Sequence, residues 1–250
     1  MTSMPRGFSL IELMGSMAIG SIILLVAASM LGRSGHEYHR IGNDVAGERE
    51  ARAFITRLTA DLACARFQKE NIMEKSQAAW PSDRLGFFCL FPSQAQSASG
   101  CIGDLCTVNY YIKDLSIHGK TVRCLMRGFR ESHDTFTALA GHHESELFTS
   151  QRHSDEPVAF GVVSFEARPM ARNASGKWID WISNDHAGPE AIDLCLVLAR
   201  RDLAGKLKLP EDWDGTGISG RLLGCPADKV RNANLEVYTT RMPFGHEENP

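Results

Sequence analysis

The sequence predicts an α+β protein: a long N-terminal transmembrane helix that continues into an amphipathic helix packed on a mostly antiparallel β-sheet head. Three observations predict it. Residues 8–31 are mostly apolar and carry one charged side chain, Glu12. Apolar residues at helical spacing follow, and the second half contains short apolar runs bounded by turn residues. The formal net charge of −3 gives no basis for an electrostatic interaction with nucleic acid.

Residues 8–31 are long enough to span a membrane. As a helix they would extend roughly 36 Å at about 1.5 Å per residue, against a hydrocarbon core of about 30 Å. Glu12 lies about one turn inside this segment, and an ionised side chain at the bilayer centre costs about 2.5–3.5 kcal/mol on insertion scales. We therefore expect Glu12 to have a partner.

The sequence PRGFSLIE at residues 5–12, followed by the apolar run, resembles the class III signal of type IV pilins and type II secretion pseudopilins. The resemblance implies that a prepilin peptidase removes residues 1–7, the prepilin leader, by cutting between Gly7 and Phe8. It implies N-methylation of Phe8 and a transmembrane helix over residues 8–31. It also implies that Glu12 forms an ion pair with the N-terminal amine of a neighbouring subunit during assembly.

Two other interpretations of the N-terminus stay open. One is an uncleaved single-pass anchor. The other is a secretory signal cut before Ser29, after the small residues at 26–28. A secretory apolar region is usually about 7–15 residues long, whereas this one is longer and contains Glu12. The length and the acidic residue favour the prepilin signal.

A helical pattern predicts an amphipathic continuation over residues 32–79, with its end between Glu70 and Ala79, ahead of the breaker at 80–83. The apolar positions of its predicted stripe are Ile41, Val45, Ile55, Leu58, Leu62 and Ala65. The charged residues that lie mostly off the stripe are Glu48, Arg49, Glu50, Arg52, Arg57 and Asp61. We expect the stripe to pack on a sheet, as the helix does in the pilin family.

Residues 80–250 form the predicted β-rich head. The predicted strands are 85–91, 107–113, 121–129, 158–167, 177–182 and 191–198, followed by a polar tail. The second and third should form a hairpin with a turn around 118–120. The order is similar to that of the J-type minor pseudopilin of type II secretion systems: strands at 85–88 and 108–111, Phe165-Glu166, a turn, Trp178 and Trp181, then Gly188-Pro189 before an apolar strand.

Seven cysteines leave at least one thiol free, or paired between chains, in an oxidising compartment. Cys101 and Cys106 are the predicted local disulfide because they close the short loop CIGDLC, although sequence leaves the connectivity open. The cysteine spacing does not predict a zinc site.

Histidines 133, 142, 143 and 153 fall in a predicted exposed loop over 131–157. The sequence around Asp212 predicts a polar turn and leaves a calcium ion open, since residue 223 is Leu rather than an EF-hand glutamate.

No catalytic motif is present, so we expect no enzyme, no cofactor and no metal site. The resemblance implies a minor pseudopilin of a type II secretion pseudopilus or related type IV filament tip. Its partners would be prepilin peptidase, other minor and major pilin-like subunits and the inner membrane, not nucleic acid, with the head in the periplasm or extracytoplasmic space. The alternatives are a membrane-tethered extracytoplasmic binding protein that uses the prepilin export route and a membrane-anchored enzyme.

Overall fold

The computed structural model describes residues 9–66, 72–78, 80–92, 102–117, 119–182, 188–201, 203–207, 209–222 and 234–245. Two units are recognised, the first ending at Val45 and the second beginning at Ala46. The helices are α1 (Leu10–Ala63), α2 (Ser132–Ala140), α3 (Glu144–Thr149), α4 (Pro210–Trp213) and α5 (Ile218–Leu222). The strands are β1 (Ala65–Arg66), β2 (Ile72–Glu74), β3 (Arg84–Leu90), β4 (Leu105–Ile117), β5 (Lys120–Arg130), β6 (Glu156–Phe160), β7 (Val162–Arg172), β8 (Trp178–Asp180), β9 (Ala191–Ala199) and β10 (Leu235–Pro243).

The strands of the second unit form two sheets. The first sheet has the order β1-β3-β4-β5-β6, with β2 also pairing with β3, and the second has the order β10-β9-β7-β8. Among the described strands, every pair in both sheets is antiparallel. The predicted fold class, helices with a mostly antiparallel head, is confirmed, although the head contains two sheets rather than one.

Residues 46–63 of α1 pack against both sheets. The buried positions of this segment recur at helical spacing and include Ala51, Phe54, Leu58 and Leu62. The Phe54 ring makes edge contacts with Tyr110 of β4 at 5.8 Å and with Phe165 of β7 at 6.1 Å between centroids. Because its ring contacts both sheets, Phe54 joins them through one apolar core. Burying a phenylalanine side chain contributes about 1.5–3 kcal/mol to stability.

The predicted end of the first helix is wrong. α1 ends at Ala63, and Ala65 and Arg66 already pair with β3, so the predicted helix over 32–79 is too long. The backbone N–H of Leu90 donates to the carbonyl of Cys64, which draws the chain into the sheet. Leu62 and Ala65 are both buried, as the apolar stripe predicts, although Ala65 lies in a strand, which is why the apolar pattern alone extended the helix.

The predicted strand at 158–167 is two strands that belong to different sheets. β6 ends at Phe160, and β7 begins at Val162 in the other sheet. Gly161 lies between them with a φ of 68°, which glycine adopts without the penalty that a side chain incurs. A Cβ there would lie 3.0 Å from the Cβ of Ala204. Gly161 therefore makes the sheet change possible.

Other predicted elements are mostly confirmed. The runs at 85–91 and 191–198 are β3 and β9, and the hairpin of 107–113 with 121–129 is β4 and β5. Residues 131–157 are not a loop, because α2 and α3 lie there, although the four histidines are exposed. The predicted polar tail contains β10, which pairs with β9.

Candidate functional site

Two side chains of the predicted signal cap the start of α1. The Ser9 backbone N–H donates to Glu12 Oε2 at 3.0 Å, and the Glu12 backbone N–H donates to Ser9 Oγ at 3.3 Å. This reciprocal arrangement is a capping box, and the acidic side chain also suits the positive end of the helix dipole. The predicted cleavage residues Gly7 and Phe8 lie outside the described residues. Glu12 therefore has a partner in its own chain at one carboxylate oxygen.

The segment Leu10–Gly32 is long and apolar enough to cross a membrane, with a mean hydropathy of 2.2. None of its most apolar window is buried within the chain. Leu10, Ile11 and Leu25 are 73–79% exposed. A continuous exposed apolar surface of this kind is typical of membrane or protein contact sites. Length, composition and exposure therefore support a single-pass membrane anchor.

A buried ion pair fastens α1 to the first sheet. Asp61 lies on the inner face of α1, and Arg127 of β5 approaches it with two hydrogen bonds, Nε to Oδ2 at 2.6 Å and Nη2 to Oδ1 at 3.0 Å. The hydroxyl of Tyr110 donates to the same Oδ2. Both charged side chains are at most 5% exposed. Burial and the Asp61 charge raise the pKa of the Tyr110 phenol well above its usual value, so the phenol stays a donor.

A second buried ion pair holds the segment after α3 against β5. Arg130 donates to Asp155 through Nη1 at 2.5 Å and Nη2 at 3.2 Å, and both side chains are fully buried. Asp155 also accepts from the Tyr111 hydroxyl at 2.7 Å and from the Arg152 backbone N–H at 2.9 Å. Burial raises the pKa of Asp155, but the hydrogen bonds outweigh it and the net pKa is lowered. Each ion pair holds two segments of the head together through hydrogen bonds between its own charged groups.

A short parallel bridge joins the two sheets at the predicted breaker. The Asp83 backbone N–H donates to the Phe165 carbonyl, and the Phe165 N–H donates to the Pro81 carbonyl, both at 2.9 Å. The buried Asp83 carboxylate accepts from the N–H groups of Ser76 at 2.8 Å and Ala167 at 3.0 Å. Residues 80–83 therefore connect the two sheets through hydrogen bonds, in addition to turning the chain.

Three of the described cysteines, Cys89, Cys106 and Cys124, are buried. Burial, with a smaller contribution from the Asp61 charge, raises the pKa of Cys89, and burial raises the pKa of Cys124 to about 11. Cys106 is buried in β4, while Cys101 lies outside the described residues, so the predicted disulfide stays a prediction. Within the described ranges, no cluster of three or more His, Cys, Asp or Glu side chains could hold a metal ion.

The carboxylates near residue 212 form local hydrogen bonds. Asp214 Oδ1 accepts from the Thr216 N–H at 3.0 Å and from the Thr216 hydroxyl at 2.6 Å. Asp212 Oδ2 accepts from the Leu209 N–H at 3.4 Å, at the start of the short helix α4. These contacts are typical of a polar turn.

The residues of the two buried ion pairs were not predicted from the sequence. Asp61 was expected among the charged residues mostly off the apolar stripe, whereas it lies on the buried face of α1. The signal was available in the spacing, because Asp61 follows Leu58 by three positions and Phe54 by seven. Nothing in the sequence around Arg127 or Asp155 distinguishes them from surface charges, because their partners are remote in the chain.

Comparisons with known proteins address the N-terminal segment and the fold. Residues 3–28 match the family model of the prokaryotic N-terminal methylation motif. The chain is also similar to a type IV-like pilin from Thermus thermophilus, with 13% identity and a TM-score of 0.41 over 79% of this chain and 95% of that chain. The curated protein sequences compared with it contain no match.

The match over residues 3–28 confirms the N-terminal resemblance, since it contains Gly7, Phe8 and Glu12. The J-type subtype stays a prediction. An apolar N-terminal helix leads into a head of helices and antiparallel sheets. The chain therefore carries the prokaryotic N-terminal methylation motif at residues 3–28.

Proposed function

We propose that the chain is a minor pilin-like subunit, a pseudopilin, that assembles into a type II secretion pseudopilus or a related type IV filament tip. One observation carries the proposal: residues 3–28 match the methylation motif, and within the match Glu12 lies in an otherwise uncharged apolar span. An ionised group in such a span marks a functional contact, because its burial in lipid is unfavourable without a partner.

The proposed assembly begins with processing. Prepilin peptidase cuts between Gly7 and Phe8 and methylates the amine of Phe8, which leaves a positive charge at the membrane surface. Glu12 of one subunit then pairs with that amine on a neighbour. In a single chain the Glu12 carboxylate already accepts from the Ser9 N–H. The assembled contact adds a full opposite charge, which stabilises a desolvated carboxylate more strongly than a neutral donor does.

The size of the head favours a minor subunit. The second unit runs from Ala46 to the end of the chain and contains two sheets and four helices beyond α1 in the part described. A head of this bulk is harder to stack in many helical copies than to place at a tip. The J-type role in type II secretion is the specific form of the proposal, supported by the order of strand segments in the sequence.

The proposal also defines partners and location. The partners are prepilin peptidase and other minor and major pilin-like subunits. The anchor lies in the inner membrane, and the head lies in the periplasm or extracytoplasmic space. We infer that the role is mechanical rather than enzymatic. The two buried ion pairs support this inference, because the charged groups of each pair hydrogen-bond one another.

Glu12→Gln tests the proposal, with Glu48→Gln as the matched control. Both changes remove one negative charge from α1, but Glu48 pairs with Arg52 on the exposed surface. We expect Glu12→Gln to stay in the membrane but to copurify with other pilin-like chains about tenfold less than the control, as expected for the loss of about 1.4 kcal/mol. Equal copurification would contradict the proposed role of Glu12. Purification of the wild-type chain without pilin-like partners, and with a bound ligand, would favour the tethered binding protein.

A further inference from the structure

A groove in the second unit has an apolar wall and a cationic rim. Its volume is about 460 Å³, within the range of about 300–1,000 Å³ typical of small-molecule sites. The apolar wall consists of Ile117 and Val122 at the end of the β4–β5 hairpin and Phe160 at the end of β6. The opposite side is the loop at 203–207, including Ala204 and Gly205. The chemistry of this groove is distinct from that of the methylation motif.

The charged side chains in the described lining of the groove are all basic. Lys120, Arg201 and Lys206 line it, and no acidic residue is among its described lining, although the whole chain has a net charge of −3. Arg201 is paired with Glu50. Neither lysine has an ion pair within the described part of the chain. The Lys120 stem lies against Gly205, whose Cα would carry a Cβ 3.5 Å from Lys120 Cδ.

The loop that forms one side uses its backbone groups internally. The N–H of Ala204 donates to the Arg200 carbonyl, and the N–H groups of Lys206 and Leu207 donate to the Leu203 carbonyl. Across the groove, Lys120 and Val122 pair with β4, whereas β5 pairs with β6 only from Cys124 to Arg127. A peptide laid along the 203–207 loop would therefore meet few free backbone partners on that side, which is unfavourable. A hydrocarbon chain has no such requirement.

We propose that this groove binds a single-chain anionic amphiphile. Its hydrocarbon chain would lie on the wall of Ile117, Val122 and Phe160, and its anionic head, a carboxylate or a phosphate, would pair with Lys120 and Lys206. Each buried methylene group should tighten binding about fourfold. The inference does not depend on filament assembly, because it rests only on the groove in the second unit.

Photolabelling tests the proposal with the full chain in phosphatidylcholine nanodiscs. The probe is a palmitic acid analogue with a diazirine near the end of its chain, and mass spectrometry locates the labelled peptides. We expect saturable labelling within 117–122 and 203–207, and much less with the matching photoreactive alcohol. Unlabelled palmitate and lysophosphatidic acid are then compared as competitors, and the stronger competitor identifies the head group.

Three variants define the site. Lys120→Glu and Lys206→Glu should each reduce labelling by about threefold or more, whereas Lys177→Glu, a charge reversal on an exposed turn, should not. Gly205→Phe should abolish labelling, because its backbone φ is not positive and the new side chain would fill the groove. An unchanged tryptophan emission spectrum would verify that the variants are folded.

The results that would overturn the proposal are specific. Labelling that spreads over the head or persists in Gly205→Phe would show that the probe does not occupy the groove. Equal labelling by acid and alcohol, or competition by neither anionic lipid, would remove the role of the lysines. Failure of the acid to label the groove, with crosslinking of an acidic peptide there instead, would replace the amphiphile with a protein partner.

Discussion

The buried pair of Asp61 and Arg127 offers a quantitative test of how α1 is held to the head. Breaking a buried ion pair by removing one partner costs about 3–5 kcal/mol, and the half-exposed Arg57, whose Nε lies 3.8 Å from Asp61 Oδ1, is too distant to replace the two hydrogen bonds of Arg127. We expect Asp61→Asn and Arg127→Met each to lower the free energy of unfolding by about that amount. This is a large fraction of the 5–15 kcal/mol of a typical domain. With a urea slope of about 2 kcal/mol/M, the unfolding midpoint should fall by about 1.5–2.5 M.

Tryptophan fluorescence during urea unfolding reports this change in the full chain in nanodiscs. All four tryptophans lie in the head, at positions 80, 178, 181 and 213. The matched control is Arg52→Met, because Arg52 forms an exposed ion pair with Glu48 one turn away. Exposed pairs of this kind contribute about 0.3–0.5 kcal/mol, so the control should hardly move the midpoint.

The double variant Asp61→Asn with Arg127→Met completes the cycle. It removes both buried charges, so it should recover most of the stability that either single variant loses. Single variants that unfold like Arg52→Met would refute the conclusion that this pair is buried and structural. A double variant no better than the sum of the two single variants would refute the reasoning about an unpaired charge.

Three further predictions concern the head. Gly161→Ala should lower the free energy of unfolding, measured in urea, by about 1–3 kcal/mol, and by more than Gly176→Ala does. Both glycines have positive φ, but of the two only Gly161 has neighbours within 4 Å of the position that a Cβ would take. Equal losses in the two variants would contradict the role of packing at Gly161. The folded-state pKa of Asp155 is lowered, so its contribution to stability is present above its unfolded-state pKa and is lost as pH falls through the folded-state pKa. Asp155→Asn should therefore flatten the fall in stability below about pH 5, and an unchanged slope would contradict this. Non-reducing peptide mapping should link Cys101 to Cys106, whereas separate peptides would exclude that disulfide.

Most strands could be predicted because their apolar runs are continuous and bounded by turn residues. The β4–β5 hairpin is an example, with Gly119 in the turn at a φ of 74°. β10 was missed although Val237, Tyr238 and the following threonines favour a strand, because its charged residues gave the tail a polar composition. Its strand structure depends on pairing with β9, which is a tertiary contact.

The helix end and the buried charges could not be predicted from local pattern. Ala65 fits the apolar stripe of a helix, yet it pairs with Cys89 because β3 lies beside it in the fold. Asp61 is a residue type normally found at the surface, and its burial is tolerable because Arg127 and Tyr110, both distant in the chain, hydrogen-bond its carboxylate. By contrast, the N-terminal signal could be recognised because its residues are contiguous, and the capping contact between Ser9 and Glu12 is equally local.

The N-terminal mass of the chain from its native membrane tests the central claim most directly. It should be measured with and without an active prepilin peptidase. The account predicts a chain that begins at Phe8 with one added methyl group when the peptidase is active, and a chain that keeps residues 1–7 when it is not. A chain that begins at Met1 or Ser29 in the presence of the active peptidase would contradict the filament pathway.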